Sequence, residues 1–161
     1  MSYDFLVIIE GSQQGRLVDD PAPADPSQAH GRILGLSYNH LVESHHGDAR
    51  SGETAGPRPT PVVFSKRWGP ASPQLFSALA TQELLTVVRF EFNDPARRRP
   101  SVSGLADHAT IMIVVLTDAQ ISSIHYASTE GSEELEFVSL SYQSMRIESP
   151  GGTSATAEWV T

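Results

Sequence analysis

Segment 62–92 constrains the fold most, because its hydrophobic period changes twice. Over 62–68 every second residue is apolar or long-chained, a period of two that is typical of a β-strand covered on one face. Gly69-Pro70 ends this pattern, and apolar residues then recur at helical spacing over 74–83. Over 84–92 the period is two again. The segment therefore predicts a strand, a short helix and a second strand.

Ser72 and Pro73 predict where this helix begins. A serine hydroxyl at the N-cap accepts a hydrogen bond from an unpaired backbone N–H, and a proline at the first helical position gives up no needed donor. An isolated helix of this length is not stable in water. We therefore expect the helix to lie against a sheet.

Most of the remaining chain also shows the pattern of β-strands. We expect about eight antiparallel strands that close into a barrel or packed sandwich with one short flanking helix, because closure removes sheet edges. The predicted class is mainly β, or α+β by strict count, in a single domain over 1–161. Besides 62–68 and 84–92, the predicted strands are 3–10, 32–42, 111–116, 121–126, 135–147 and 155–161.

Three long segments between these strands are polar and rich in proline or glycine. Segment 19–30 contains a run of prolines and aspartates, and 47–61 has glycine and proline throughout. Segment 93–107 contains three consecutive arginines, 97–99. We expect all three segments to be surface loops, and the arginine run to be solvated. A turn is predicted at 117–119.

Charge and composition exclude several classes of protein. The formal net charge of −8 argues against a nucleic-acid partner. The N-terminus has no basic region followed by an apolar core, so no signal peptide is predicted, and no apolar run approaches a membrane span. The chain has no cysteine, so no disulfide contributes.

The only histidine cluster does not have the spacing of a metal site. His40, His45, His46 and Asp48 lie near one another in the sequence. Their spacing matches no tight ligand motif, and histidines at a polar strand end are more often solvated. No metal or other cofactor is predicted.

A catalytic triad is also poorly supported. Asp118 and His125 could be combined with one of many serines, but no Gly-x-Ser-x-Gly motif accompanies them. The residues therefore predict no catalytic group and a protein that is not an enzyme.

Four segments, in order, resemble motifs of the Hcp family (haemolysin co-regulated protein), the tube protein of bacterial type VI secretion systems. Segment 5–11 resembles the family's opening FLKIxG strand, and 33–40 is similar to its IxVLSWSW strand, with Tyr38 and His40 in place of the two tryptophans. The others are 63–75, which resembles FSFTHYxDKASPxLM with Ala71, Ser72 and Pro73 intact, and 110–123 with 138–142, which resemble LKITLxDVLVSSV and ESVSLNF.

The resemblance implies a structural subunit of the inner tube. Such a subunit assembles as hexameric rings, which stack into a hollow tube that carries and stabilises effectors and that a contractile sheath propels from the cell. The implied partners are further copies of this chain and the sheath, spike and effector proteins, without nucleic acid or membrane insertion. The implied location is the bacterial cytoplasm during assembly, followed by secretion without a signal peptide.

A ring-forming subunit must bury sheet faces between copies, and two sets of residues are candidates for these contacts. Leu6, Ile8, Leu85 and Val87 supply apolar positions on the second faces of their strands. The loop 47–61 is the candidate for contact between rings, through its charged residues Asp48, Arg50, Glu53 and Arg58.

Two alternatives remain open from the residues alone. One is a monomeric β-sandwich that binds a protein or carbohydrate through its loops. The other is an enzyme that uses Asp118 or His125. Within the resemblance, the long segments 19–30 and 93–107 and the scarcity of lysine depart from the family pattern and leave two interpretations open, divergent assembly and a specialised paralogue.

Overall fold

The computed structural model describes residues 5–19, 32–45, 56–58, 60–99 and 107–158. Within these ranges the chain forms twelve strands and one helix. In chain order they are β1 (Phe5–Gly11), β2 (Gly15–Leu17), β3 (Ile33–Gly35), β4 (Ser37–Asn39), β5 (Glu43–His45), β6 (Gly56–Arg58), β7 (Val62–Arg67), α1 (Ala71–Thr81), β8 (Leu85–Arg99), β9 (Asp107–Ala127), β10 (Leu135–Ser141), β11 (Ser144–Glu148) and β12 (Ser154–Glu158).

Ten of the described strands form one sheet, which follows the path β2-β1-β8-β9-β10-β7-β4. β11 joins β9 to β12, and β3 pairs with β1. Only Leu36 separates β3 from β4, and its N–H donates to the carbonyl of Ser65 at 2.8 Å. The segment β3–β4 therefore brings the two ends of the sheet together, although the hydrogen-bonded ladder itself is not closed. The mainly β, barrel-like class expected from the sequence is confirmed.

β9 differs from the expectation. It continues through 117–119, where a turn was predicted, and Asp118 adopts a left-handed conformation with φ of 51°. Aspartate tolerates this conformation better than most residues. At this point β9 changes partners, since Ala119 still pairs with Leu85 of β8 while Gln120 pairs with Ser141 of β10. One long strand thus belongs to both halves of the sheet.

The prediction of a loop at 93–107 is also partly wrong. β8 and β9 continue to pair as far as Arg99 and Asp107. The polar, proline-containing sequence of 93–107 lacks the apolar alternation by which a strand is recognised. Strands that extend beyond the core do not need that alternation, so the sequence pattern did not reveal them.

The core is closed by aromatic contacts between strands. The rings of Phe64 and Phe90 lie 5.6 Å apart at 71°, and Phe5 and Tyr38 also contact Phe90. Such edge-to-face pairs contribute about 0.5–1.5 kcal/mol beyond the area they bury.

A bulge sets the direction in which the side chains at the start of β8 point. Gly11 pairs with Leu85 and Glu10 pairs with Val87, so Thr86 has no partner on β1. Leu85 and Val88 consequently both point into the core, and Leu85 is fully buried within a single copy. The expectation that Leu85 faces a neighbouring subunit is therefore wrong, because strict alternation ignores the extra residue.

The helix starts earlier than the sequence predicted. It begins at Ala71 with Pro70 as its N-cap, and the Ser72 hydroxyl lies inside the first turn, where it accepts from the backbone N–H of Gly69 at 2.9 Å. The backbone N–H of Ala71 instead donates to Asp19 Oδ1 at 2.9 Å. Pro73 lies in the first turn, where its missing N–H costs nothing. The predicted start at Ser72 and Pro73 is corrected because a residue distant in the sequence supplies the cap.

Ser72 instead takes part in a buried network of charges. The ammonium group of Lys66 donates to Glu136 Oε1 at 2.8 Å and to the carbonyl of Arg67 at 2.6 Å, and it lies 3.2 Å from Asp19 Oδ2. The Ser72 hydroxyl donates to the same Glu136 oxygen at 2.7 Å. The side chains of Lys66 and Glu136 are fully buried, so each charge depends on the other for compensation.

Removing one partner of this pair should destabilise the fold strongly. We expect Lys66→Met to lower the free energy of unfolding by about 3–5 kcal/mol, because Glu136 is left buried without its counter-charge. Lys66→Met with Glu136→Leu should recover much of the loss. The control is Arg67→Ala, whose ion pair with Glu133 is exposed and should contribute less than about 1 kcal/mol.

Chemical denaturation at one protein concentration measures all three variants. Equal effects for Lys66→Met and Arg67→Ala would contradict the assigned role of the buried pair.

Leu84 and Leu85 test the bulge, because the two are adjacent but differ in burial. We expect Leu85→Ala to lower the free energy of unfolding by about 2–5 kcal/mol through the cavity it leaves. Leu84 is 38% exposed, and Leu84→Ala should cost much less. The reverse order of the two denaturation midpoints would show that the strict alternation is correct.

Candidate subunit interface

The outward face of β1 and β8 carries three of the four predicted interface residues. Leu6 pairs with Glu91, Ile8 with Arg89, and Glu10 with Val87. Leu6, Ile8 and Val87 are half-buried in the single copy, whereas Phe5, Val7, Ile9 and Val88 beside them point into the core. These three residues therefore offer apolar surface that a second copy could cover.

Charged side chains on this face are already paired within the chain. Arg89 Nε lies 3.0 Å from Glu91 Oε1, and Arg146 Nε lies 2.5 Å from Glu148 Oε1. Each pair joins residues two apart on one strand, which point to the same face. The sequence pattern Arg-x-Glu within two strands is the signal that could have revealed them.

Apolar residues alternate with these pairs across the sheet. Val115 of β9 lies between Arg89 and Arg146 of the adjacent strands, and Ile113 lies between Glu91 and Glu148. The arrangement gives a surface with apolar positions and no excess charge. We call it the paired-charge face, and its residues are Leu6, Ile8, Val87, Arg89, Glu91, Ile113, Val115, Arg146 and Glu148.

The other half of the sheet presents a different outward face. Two rows of residues cross β4, β7, β10 and β9 on the side of the sheet that faces away from the core. They alternate along the strands with core residues such as Phe64 and Val138. None of these eight residues is an acid, a lysine or an arginine; the next residue on this side of β7 is Arg67, which is paired with Glu133. We call this the neutral face, and its residues are Ser37, Asn39, Val63, Ser65, Ser123, His125, Phe137 and Ser139.

The predicted ring-stacking residues lie mostly outside the described residues. Asp48, Arg50 and Glu53 are among those not described, and the side chain of Arg58 is not described either. The backbone of Arg58 pairs with Glu43, in a two-stranded hairpin formed by β5 and β6. Part of the segment expected to be a loop, Gly56–Arg58, is therefore a β-strand.

Of the residues considered for metal binding, His46, Asp48 and the side chain of His45 lie outside the described part of the structure. His40 Nε2 lies 3.1 Å from the Tyr142 hydroxyl, which donates to the carbonyl of Thr60, and burial lowers the pKa of His40. Asp118 lines a surface cavity of about 380 Å³, and His125 contacts the ring of Phe137 on the neutral face. Within the described ranges, no three His, Asp or Glu side chains are grouped so that they could hold a metal ion.

A family model described as "Type VI secretion system effector, Hcp" matches residues 24–148. The chain belongs to the Hcp family. The resemblance found in its sequence motifs is confirmed, and this Hcp protein is a structural subunit of the type VI secretion tube. The alternative of a monomeric binding module is not favoured.

Solved Hcp structures share the fold over nearly the whole chain. One Hcp protein is 26% identical with a TM-score of 0.71, and the match covers 97% of this chain and 99% of that one. The secreted Hcp3 of Pseudomonas aeruginosa is 24% identical with a TM-score of 0.70, covering 99% and 100%. Hcp1 of E. coli EAEC 042 is 15% identical with a TM-score of 0.76, covering 98% and 99%. Among curated proteins no match was found.

A tube subunit associates with copies of itself, so the two outward faces are candidates for contact with other copies or with cargo.

In the part of the chain that is described, no helix is long and apolar enough to cross a membrane.

Proposed function

We propose that this Hcp protein forms closed hexameric rings that stack into a hollow tube and that the tube carries and stabilises effectors. The paired-charge face carries the proposal, because a tube subunit needs surface that is stable in water before assembly and buried after it. Leu6, Ile8 and Val87 supply the apolar part of that surface.

The charged side chains of the paired-charge face are already paired within a single copy, which favours the use of this face as a contact between copies. An ion pair that enters an interface intact leaves no isolated charge behind, whereas burying a lone carboxylate or guanidinium group costs several kcal/mol. Arg89 with Glu91 and Arg146 with Glu148 meet this condition. A closed ring needs a contact in which one patch of each copy docks against a different patch of the next.

The neutral face is the surface that we assign to cargo. Its hydroxyl and amide groups, including Ser37, Asn39, Ser123 and Ser139, offer hydrogen bonds without a net charge. A lumen lined by one sign of charge would attract some effectors and repel others. An uncharged lining instead suits broad, non-catalytic contact with many cargo proteins.

The remaining parts of the proposal follow from the tube. A contractile sheath surrounds it, a spike protein lies at its tip, and the subunit leaves the bacterial cytoplasm without a signal peptide. The whole chain, 1–161, acts as one domain with no catalytic role. Asp48, Arg50, Glu53 and Arg58 form charge pairs across the seam between stacked rings.

The ring contact is tested by Leu6→Lys. The new lysine faces Glu91 on the neighbouring strand, so the fold tolerates it, but it gives the otherwise balanced paired-charge face a net positive charge. Native mass spectrometry should show rings several times 17.4 kDa for the wild type and mainly single copies for the variant. Thr129→Lys, in an exposed turn, is the control and should leave the rings intact. Rings that persist in Leu6→Lys would exclude this face as the contact.

Ring stacking is tested by shortening the segment between β5 and β6. Replacing 46–55 with a short Gly-Ser link keeps the pairing of Glu43 with Arg58 and should spare the fold and the rings. Negative-stain microscopy should then show single rings where the wild type forms tubes. A Gly-Ser link in place of the turn 150–153 is the control, and tubes in the shortened variant would contradict the assignment.

A further inference from the structure

A surface cavity lies where β9 passes from one half of the sheet to the other. Its volume is about 380 Å³, which falls within the range of small-ligand sites, roughly 300–1,000 Å³. Its walls come from the residues before β7, the residue before β8, the middle of β9, and the end of β10 with the link that follows it. The cavity is therefore large enough for a small molecule or for one side chain of another protein.

Hydrogen bonds between these segments fix the walls of the cavity. The Tyr142 hydroxyl donates to the carbonyl of Thr60 at 2.8 Å, and the backbone N–H of Gln143 donates to the carbonyl of Thr117 at 3.1 Å. Both contacts join segments that are distant in the sequence. The shape of the cavity is thus set before a ligand arrives, which reduces the entropy that binding must overcome.

Three polar side chains of the cavity have hydrogen-bonding capacity that the protein does not use. Asp118 contributes a carboxylate, and Gln120 and Gln143 each contribute a carboxamide. None of these three side chains forms a hydrogen bond or an ion pair within the described residues. The charged residues of the paired-charge face, in contrast, have partners. The three side chains are therefore the groups through which the cavity can hold a ligand.

The backbone conformation of Asp118 is a second observation at this cavity. A residue other than glycine with a φ of 51° is uncommon, and such residues concentrate at functional sites. The conformation interrupts the alternation of β9, since Thr117 and Asp118 are both exposed between the buried residues Leu116 and Ala119. The strand thereby presents the Asp118 carboxylate to the cavity, although it continues on both sides of that residue.

The charge of the cavity favours a cation. Asp118 is the only charged residue among the described residues that line it, and the chain has a formal net charge of −8. One carboxylate and two amide oxygens offer acceptors, whereas an alkylammonium group has three donors and no acceptor. Hydrogen bonds between an ammonium group and a carboxylate are stronger than neutral ones. Leu84, which is 38% exposed, and Pro61 offer an apolar wall to an aliphatic stem.

We propose that this cavity binds a primary alkylammonium group. Asp118 pairs with its charge, the two glutamine amides accept its remaining N–H groups, and the alkyl stem lies against Leu84. Two sources carry such a group, a free alkylamine and a lysine side chain of another protein. The only lysine of the chain, Lys66, is fully buried, so no lysine of a second copy can enter the cavity. The site belongs to a single copy, and the inference is independent of the proposed tube.

Ligand-observed saturation-transfer NMR with n-pentylamine tests the site. We expect saturable binding to the unmodified chain and at least about tenfold weaker binding of 1-pentanol, which lacks the charge. Asp118→Asn removes the carboxylate but keeps a residue that tolerates a left-handed conformation, so the unfolding midpoint should not change. Its affinity for n-pentylamine should fall at least about tenfold. Glu130→Gln, in an exposed turn, removes the same charge from the chain and should leave the affinity unchanged.

Leu84→Ala tests the apolar wall. We expect it to weaken the binding of n-pentylamine about threefold, because fewer methylene groups are removed from water. Methylamine has no stem, so its binding should not change. An equal loss for the two amines would contradict the placement of the stem against Leu84.

Nα-Acetyl-lysine N-methylamide, which reproduces a lysine within a protein, separates the two sources. Tighter binding of this compound than of n-pentylamine supports a protein lysine, and the reverse order supports a free amine. The corresponding arginine compound should bind more weakly, because the acceptors lie on three separate residues and do not match a planar guanidinium group.

Three results would overturn the inference. They are tighter binding of the arginine compound, the absence of saturable binding of n-pentylamine, and an affinity for n-pentylamine that is unchanged in a folded Asp118→Asn protein.

Discussion

The buried ammonium group of Lys66 joins parts of the chain that are far apart in the sequence. It contacts Glu136 on β10, Ser72 at the start of α1 and Asp19 after β2. Burying one charge of this network without its partners would cost several kcal/mol, so the contacts support one another. Asp19 in turn accepts from the first turn of the helix, which fixes α1 against the sheet. The junction therefore joins β7, β10 and α1 to the segment that follows β2.

Much of the fold could be predicted from the sequence, because hydrophobic period and motif order are local properties. The strand, helix and strand of 62–92 and the family resemblance needed nothing else. The side of the sheet to which Leu85 points could be predicted only by knowing that Leu85 pairs with Gly11 at the bulge. The first residue of α1 could be predicted only by knowing that Asp19 accepts from its backbone N–H. The supposed turn at 117–119 failed because Asp118 adopts a left-handed conformation within a continuous strand. The errors at Leu85 and at the start of α1 arose because contacts distant in the sequence decide the local conformation there.

The candidate site was less accessible to sequence reasoning than the fold. Alternation alone placed Leu6, Ile8 and Val87 on an outward face, but only the register shows that Val115 lies between two arginines and Ile113 between two glutamates. The long strand β9 takes part in both halves of the sheet, and the two halves carry outward faces of different chemistry. We propose that one of these faces meets neighbouring copies and that the other meets cargo.

A cryo-electron microscopy reconstruction of the purified protein tests the central claim most directly. The account predicts a closed ring in which Leu6, Ile8 and Val87 are covered by the adjacent copy while Asn39 and Ser139 face the central opening. Monomeric particles at every concentration, or a ring whose central opening is lined by Arg89 and Arg146, would contradict it.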